Sequence, residues 1–562
     1  MIAYNCPAEQ VPQGRLDPVY NVALVMLDSR DKTPYALEQI GRLARAGWTV
    51  YGSAGTAKFL NENGIFALDI KTLTGHDPAM THRMASCSWE TNSCLISNQN
   101  NIEHLEYLLG QLCISPFQLL ICTVYGLDEE MRNPDSSWKS RLEKTDFGGP
   151  AALRAAAKGR RAIVFRLDQL EDTINRLLAG SVTSEWLEQR AAETEHFCAW
   201  YSGMSAANIS NGNLQTICLE KVRGLRRGEN PYQTGAMLMH NITGHDDPLA
   251  LDKFQIVGDT EPGWINLTDA NSALNCLTTL AAVLDINGYL KGYPYFGVIV
   301  KHGNPVGLAI GRTPKEVLRL VFTGNPRAAF GGVAMFNFII DDEWAKHILH
   351  SWLPEGEKYR YLVGIVAPEF TPEAVDLLRG KEVKKQLLIN PALRSLNRNS
   401  VDTTPKYRPV RGGTLVSNGE RYLLDLKDKR LEEWHYNHRM LNESTLIDLL
   451  IAFTACACSY SNTTSCANNN QLVGNGVGQQ DRIGSCELAM VQAGERAIES
   501  VVVTDSFFPK PDGLQVLIDH GATLVMSTTG SKSDQEVRDL AAERGVALVQ
   551  IPDTDGRMFS GH

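Results

Sequence analysis

Several features that would commit a chain to one functional class are missing here. The twelve cysteines are scattered and form no C-x-x-C pair, which removes the commonest zinc and redox signatures. The opening residues, MIAYNCPAEQVPQGRLDP, hold no basic stretch followed by an apolar one, so no secretory signal is expected. No unbroken apolar run reaches the roughly 20 residues of a membrane span. Positive charge is in short supply. The net charge is −10 and the pI about 5.8, which speaks against a broad nucleic-acid footprint but leaves room for a local basic pocket that takes a phosphorylated metabolite. No short-period repeat or low-complexity tract is present. The expectation is a cytoplasmic protein with reduced thiols that works on small molecules, with neither nucleic acid nor membrane as partner. Cys456 and Cys458, two apart in an apolar stretch without nearby His or Cys, read as core packing.

What is present is ordinary globular material: 562 residues, 43% hydrophobic and 21% charged, enough for roughly three to four domains. The first region alternates strand and helix. VALVML (22–27), WTVYG (48–52), QLLICTVY (118–125) and RAIVF (161–165) read as strands. PYALEQIGRLARAG, IEHLEYLLGQLC and ALRAAAKG read as helices between them. That alternation predicts a mainly parallel sheet covered on both faces. A polar break, NISNGNLQ (208–215), suggests a domain boundary. Beyond it come a long helix, LTDANSALNCLTTLAAVLD, then strand YFGVIV (295–300), a strand after FGG (330–332), and YLVGIVAP (361–368). The polar stretch from about 390 to 440 reads as loop and connection. Helix STLIDLLIAFTACA, strands SVVVTD and TLVMST, and a helix–strand pair close the chain.

The strongest candidate for chemistry is VIVKHGNPVG (298–307). A buried strand delivers Lys301 and His302 to a turn of Gly303, Asn304 and Pro305, and functional groups in α/β folds collect beyond the carboxyl ends of strands. Adjacent cations disfavour each other's charge, which would leave a neutral imidazole as a base near neutral pH. A catalytic pair and an exposed strand end are equally open readings of these residues alone. In SFFPKPDG (506–513), Phe507 and Phe508 could wall a flat heterocycle or simply fill a core. VGNGVGQQDR (473–482) superficially resembles a dinucleotide fingerprint, but its spacing is G-x-G-x-G and no clear helix opens from it; a glycine hairpin placing Arg482 is expected instead. In SYSN (459–462), Asn462 could donate in a site or serve as a turn residue.

Taken in order, these segments resemble the bifunctional purine-biosynthesis family that combines AICAR transformylase and IMP cyclohydrolase. The resemblance covers nearly the whole chain. It is carried by DKT (31–33), SAGTAK (53–58), DFGGPAALRAAAK (146–158), RRGENPYQ (226–233), INLTDANSA (265–273), VKHGNPVG (300–307), AAFGG (328–332), GIVAP (364–368), RGGTLV (411–416), SN (461–462), GVGQQDR (476–482), TDSFFPKPD (504–512) and RMFSGH (557–562). The fold it implies is α/β: an N-terminal methylglyoxal-synthase-like parallel-sheet domain (1–212), then two cytidine-deaminase-like α/β subdomains of the AICAR transformylase type (213–400 and 401–562). It also implies a homodimer with formyltransferase sites at the subunit interface. No zinc is expected, because the deaminase H-x-E…C-x-x-C pattern is absent.

The activity implied is transfer of a formyl group from 10-formyltetrahydrofolate, a co-substrate, to the 5-amino group of AICAR. By the resemblance, His302 would take the amine proton, Lys301 would stabilise the oxyanion or supply a proton to the leaving group, and Asn462 would orient the formyl oxygen. Arg226 and Arg557 match residues that hold the substrate phosphate and carboxamide. Ile265, Asn266, Phe330, Gly331 and Phe559 match other substrate contacts, and Arg482, Phe507 and Asp512 match positions on the folate side.

Departures from the family pattern are concentrated around this set. Val363 stands where the family carries a pterin-contacting acid, FFPFRD has become FFPKPD with Lys510 and Pro511, NPHQ has become NPYQ with Tyr232, and the RHFRH-like end is RMFSGH. In the N-terminal domain Lys32, Ser53, Thr56, Tyr125, Asp146 and Lys158 match the cyclohydrolase. The central Arg-Val-Lys-Thr-Leu-His-Pro motif does not: Arg83 remains, but Ala85 replaces the lysine and Ser88–Trp89 the His-Pro. The expectation is an AICAR formyltransferase with weak or absent cyclohydrolase activity. The alternatives are a related formyltransferase acting on a different amine in a specialised pathway, and a non-catalytic homologue that binds a nucleotide or partner enzyme.

Overall fold

The computed structural model describes residues 21–76, 86–242, 247–379, 385–434 and 441–561. The chain divides into two compact units, with the boundary at Glu220–Lys221 and Asn241 returning to the first. Among the described residues no helix is long and apolar enough to cross a membrane.

The first unit holds five parallel strands: β1 (Val22–Met26), β2 (Thr49–Gly52), β3 (Leu68–Asp69), β4 (Leu119–Cys122) and β5 (Ala162–Val164), in the order β3-β2-β1-β4-β5. Each apolar run alternates between two cores. Leu24, Leu120 and Ile163 face one side, and Val25, Ile121 and Val164 the other, as the period-2 geometry of a strand requires. The helix expected over IEHLEYLLGQLC begins at Ile102–Leu105 and then widens into a π-helical turn over Glu106–Gln111. A 26-residue helix, Ser184–Ile209, runs into the polar break. A separate hairpin pairs β6 (Leu219–Gly224) with β7 (Met237–Asn241).

The second unit is built on one twelve-stranded mixed sheet. Its first half contains β8 (Gln255–Ile256), β9 (Tyr295–Lys301), β10 (Asn304–Gly311), β11 (Val333–Phe336), β12 (Gly364–Ala367) and β13 (Gln386–Ile389). The stretch expected to be loop contains a hairpin, β14 (Lys406–Val410) and β15 (Gly413–Ser417), followed by β16 (Glu432–Trp434). Every residue of β14 and β15 is exposed, so no buried face left a periodic apolar signature to read. The second half adds β17 (Thr464–Asn468), β18 (Gln471–Gly476), β19 (Val501–Thr504), β20 (Leu524–Thr529) and β21 (Ala547–Pro552).

The sheet order β16-β21-β20-β19-β17-β18-β10-β9-β11-β12-β13-β8 reads the same from both ends. Each half has a central antiparallel hairpin (β9–β10, β17–β18), then an antiparallel neighbour, two parallel strands and an antiparallel edge. The halves join where Ala309 of β10 pairs with Gln471 of β18. One face is covered by the helices Trp264–Ile286 and Glu443–Ala457, packed on Val298, Val300, Val501 and Val503. The other face carries Ile299 and Ala334 under Pro314–Gly324 and Asp342–His350 in one half. In the other half it carries Val502 and Val525 under Arg482–Ala493 and Asp512–Asp519.

The glycines of VGNGVG belong to this packing. A Cβ on Gly474 would lie 2.1 Å from the Ala489 carbonyl oxygen, and one on Gly476 2.0 Å from that of Ser485. They let the helix Arg482–Ala493 sit directly on β18. The expectation that no helix opens from this run is corrected: one opens at Arg482, with the Asp481 carboxylate accepting from the Gly484 amide at 2.7 Å. Gly307 of β10 does the same in the first half, 2.3 Å from the Val321 carbonyl oxygen.

Candidate active site

β9 ends at Lys301, and β10 begins at Asn304 directly opposite it. The turn is therefore His302–Gly303 alone, shorter than the Gly303–Asn304–Pro305 turn expected. Both residues have positive φ, 54° and 78°, the geometry of a type I′ hairpin turn. Few non-glycine residues take this region, histidine being among those that do so more readily, and the His302 side chain is exposed. The turn is held from below by Asp269, 4% exposed in the helix Trp264–Ile286, whose carboxylate accepts from the Gly303 amide at 2.8 Å. Burial raises the Asp269 carboxyl, against the opposing pull of the turn amides and of His302 and Lys301.

Lys301 donates from Nζ to the Phe330 carbonyl oxygen at 2.8 Å. Phe330 is half-exposed, its ring 5.5 Å from that of Tyr361, and Gly331, at φ 78°, donates its amide to the Tyr361 carbonyl at 2.9 Å. On the other side of the hairpin, the Asn304 carboxamide accepts from the Tyr460 amide at 2.9 Å and donates to the His302 carbonyl at 3.1 Å. A cavity of about 400 Å³ opens beside the hairpin, and Lys301, His302, Asn304, Asn325, Asn475 and Gln492 are among its lining residues. Of the catalytic set expected from the sequence, Lys301 and His302 line this cavity; Asn462 is not among its walls.

Asn462 lies in the segment before β17. Its amide nitrogen donates to Gln479 O at 3.0 Å, and its carboxamide oxygen accepts from Arg482 at 3.4 Å. Arg482 is itself buried, paired at 2.6 Å with the fully buried Asp505, and donates to Thr463 O at 2.9 Å. Asp505 also accepts from Ser461 Oγ at 2.6 Å and the Thr463 amide at 3.0 Å. Arg482 thus meets the chain around Asn462 from inside. Phe507 is half-buried, and Asp512 opens the helix Asp512–Asp519, its carboxylate accepting from the Gly513 amide at 2.8 Å.

Arg226 is exposed, and its amide donates to Pro262 O at 3.0 Å, next to the start of the helix that carries Ile265 and Asn266. Ile265 is partly exposed, and Asn266 accepts from the Gly263 amide at 2.9 Å. Arg557 pairs with Asp553 and lies 5.0 Å over the Phe559 ring. Burial pushes the Asp553 carboxyl up, but hydrogen bonds from Arg557, Thr528 and Ser506 outweigh it and hold it below the usual range. Val363 is packed against the apolar core, Tyr232 is 79% exposed and Lys510 is exposed.

Two residues that shape the site were not singled out from the sequence: Asp269 and Asp505. The available signal was a lone acid inside an apolar helix, LTDANSALNCL, and one closing an apolar strand, SVVVTD; a buried carboxylate needs partners.

A family model described as the AICARFT/IMPCHase bienzyme matches residues 156–492. The chain belongs to this family. Two relatives, both named bifunctional purine biosynthesis protein PurH, are each 27% identical to it: one from Bacillus mycoides (strain KBAB4) over 92% of this chain and 96% of its own length, one from Bacillus subtilis (strain 168) over 93% and 96%. A solved structure of ForH aligns with a TM-score of 0.29 and 21% identity, over 34% of this chain and 99% of its own.

Of the positions expected from the sequence to match a cyclohydrolase, Lys32 donates to Gly55 O at 3.0 Å, and the Ser53 hydroxyl donates to that of Thr56 at 3.0 Å. Thr56 is fully buried and accepts from the Leu27 amide. Asp146 accepts from the Gly149 amide at 2.9 Å and the Tyr125 amide at 3.4 Å, and burial raises its carboxyl. Lys158 is exposed at the end of the helix Gly148–Lys158. Arg83 and Ala85 lie outside the described residues. Ser88 caps the helix Trp89–Ile96, accepting from the Thr91 amide at 3.1 Å, and Trp89 is 68% exposed with its indole donating to Tyr107 Oη at 2.9 Å.

Proposed function

We propose that this chain transfers a formyl group from 10-formyltetrahydrofolate to the 5-amino group of AICAR. The observation that carries the reading is the pair Lys301–His302 at a two-residue hairpin turn beside a cavity of about 400 Å³. The AICAR amine is a weak nucleophile, because its lone pair is delocalised into the imidazole ring. It attacks the formyl carbon as His302 takes its proton, help worth roughly a hundred- to ten-thousand-fold. Lys301 stabilises the tetrahedral oxyanion, worth on the order of 3 kcal/mol. The bond from carbon to the folate N10 then breaks and that nitrogen is protonated, giving formyl-AICAR and tetrahydrofolate. Asn462 orients the formyl oxygen; Arg226 and Arg557 bind the phosphate and carboxamide through their forked donors. Ile265, Asn266, Phe330, Gly331 and Phe559 complete the substrate side, and Phe507 and Asp512 the folate side. The homodimer that the resemblance implies is part of this reading.

Cyclohydrolase activity is proposed to be weak or absent. What supports this is the loss of the lysine at Ala85 and of the His-Pro at Ser88–Trp89, together with the helix-capping role that Ser88 has instead. A second reading, formyl transfer to a different weak amine, is favoured by Val363 in the apolar core and by Tyr232, exposed where the family has histidine. The test is to supply AICAR and 10-formyltetrahydrofolate and follow tetrahydrofolate and IMP together. Tetrahydrofolate with formyl-AICAR and no IMP is expected. Full conversion to IMP would overturn the cyclohydrolase claim, and turnover only with another amine would favour the second reading.

A further inference from the structure

We propose that Asp269 is the positioning residue of this site, clamping the His302–Gly303 turn so that the imidazole and the Lys301 amine project into the cavity together. The inference rests on the formyltransferase reading. Asp269 is 4% exposed in a helix whose other buried residues are mainly apolar, and a carboxylate there is costly unless hydrogen-bonded. Its partners are the Gly303 amide at 2.8 Å and the His302 amide. The clamp also offsets a cost of the turn, since His302 carries a Cβ at φ 54°, where L-residues are disfavoured by about 1–2 kcal/mol.

The second half of the sheet supplies an internal control. Asp448 occupies the sixth position of Glu443–Ala457, as Asp269 does of Trp264–Ile286. It accepts from the amides of Asn469 and Asn470 at 2.9 and 2.8 Å, and those residues also have positive φ, 55° and 64°. The clamp is thus a device of the fold used twice. Only at Asp269 does it carry a lysine and a histidine.

The test compares Asp269→Leu, Asp269→Ser and Asp269→Asn with Asp448→Leu in the full-length protein. Leucine cannot accept from the turn amides, serine is too short to reach them, and asparagine keeps an acceptor oxygen. Asp269→Leu and Asp269→Ser are expected to lower kcat about 100-fold with KM for AICAR little changed. Asp269→Asn is expected to recover most of that loss, and Asp448→Leu to lower Tm while leaving kcat near wild type. A second readout needs no turnover: the rate at which diethyl pyrocarbonate modifies His302, followed by peptide mass spectrometry. It should change in the leucine and serine variants and stay at the wild-type rate in Asp269→Asn and Asp448→Leu. Equal kcat losses at Asp269 and Asp448, or unchanged kcat and His302 reactivity in Asp269→Ser, would overturn the proposal. A wild-type protein without turnover would sink the formyltransferase reading, and the modification rates would still decide whether Asp269 sets the turn.

Discussion

The hairpins β9–β10 and β17–β18 lie side by side at the middle of one sheet, and each turns on two residues of positive φ above a buried aspartate. Glycines in both, Gly307 and Gly474, bring a helix backbone down onto the strand. They differ at the turn itself: Lys301–His302–Gly303 in one, Asn468–Asn469–Asn470 in the other. At the second turn Asn468 is engaged by the fold, donating to the carbonyls of Arg496 and Ile498 at 2.9 Å each. At the first turn a lysine and a histidine reach a cavity. The lesson is that one architecture, used twice, separates what holds a turn in place from the side chains the turn presents.

The largest expected effect breaks the comparison outright. His302→Asn should lower kcat by about a hundred- to ten-thousand-fold, measured as tetrahydrofolate release, while the corresponding turn residue changed as Asn469→Ala leaves kcat near wild type. Next comes the support of Asn462. Arg482→Met leaves the fully buried Asp505 without its 2.6 Å partner, and breaking such a pair costs about 3–5 kcal/mol, to be read from chemical denaturation.

A third prediction concerns pH. Burial raises the Asp448 carboxyl to about 7, above its value near 4 in the unfolded chain. The unfolded state therefore releases the proton first, and stability falls as pH rises from about 4 to 7, then levels. Asp448→Asn removes that loss, so the Tm of the variant relative to wild type should rise between pH 4 and 7.5; a constant difference would contradict the assignment. The smallest contrast sharpens the likeness of the two halves. Gly307→Ala and Gly474→Ala should each destabilise by about 1–3 kcal/mol, and to a similar degree, since both would meet a helix carbonyl within 2.3 Å.

Much of this fold is legible in the sequence where burial imposes a period. VALVML, QLLICTVY, YFGVIV and SVVVTD all contain strands, because alternate residues enter two cores. The exposed hairpin β14–β15 had no such pattern and read as loop. The glycines before Arg482 suggested a turn because glycine serves close approach and positive φ alike, and one sequence does not say which. Lys301 and His302 were visible as a strand-end pair, and their order among the other motifs pointed to the family. Asp269 was not singled out, since its partner is a backbone amide 34 positions away in sequence, and backbone amides leave no mark on side-chain composition. The duplication of the sheet is implied in the sequence only by the family resemblance, which gives two subdomains of one fold; no repeated motif marks it, because it resides in strand order and hydrogen bonding, which the two halves share without sharing turn residues.

The most direct test of the account makes the Lys301–His302–Gly303 turn resemble its asparagine counterpart. In a single-turnover experiment with AICAR and 10-formyltetrahydrofolate, the double variant Lys301→Asn/His302→Asn should bind AICAR by calorimetry with a Kd within about threefold of wild type and release no tetrahydrofolate above background. Tetrahydrofolate release at a rate near wild type would contradict the claim that this hairpin carries the chemistry.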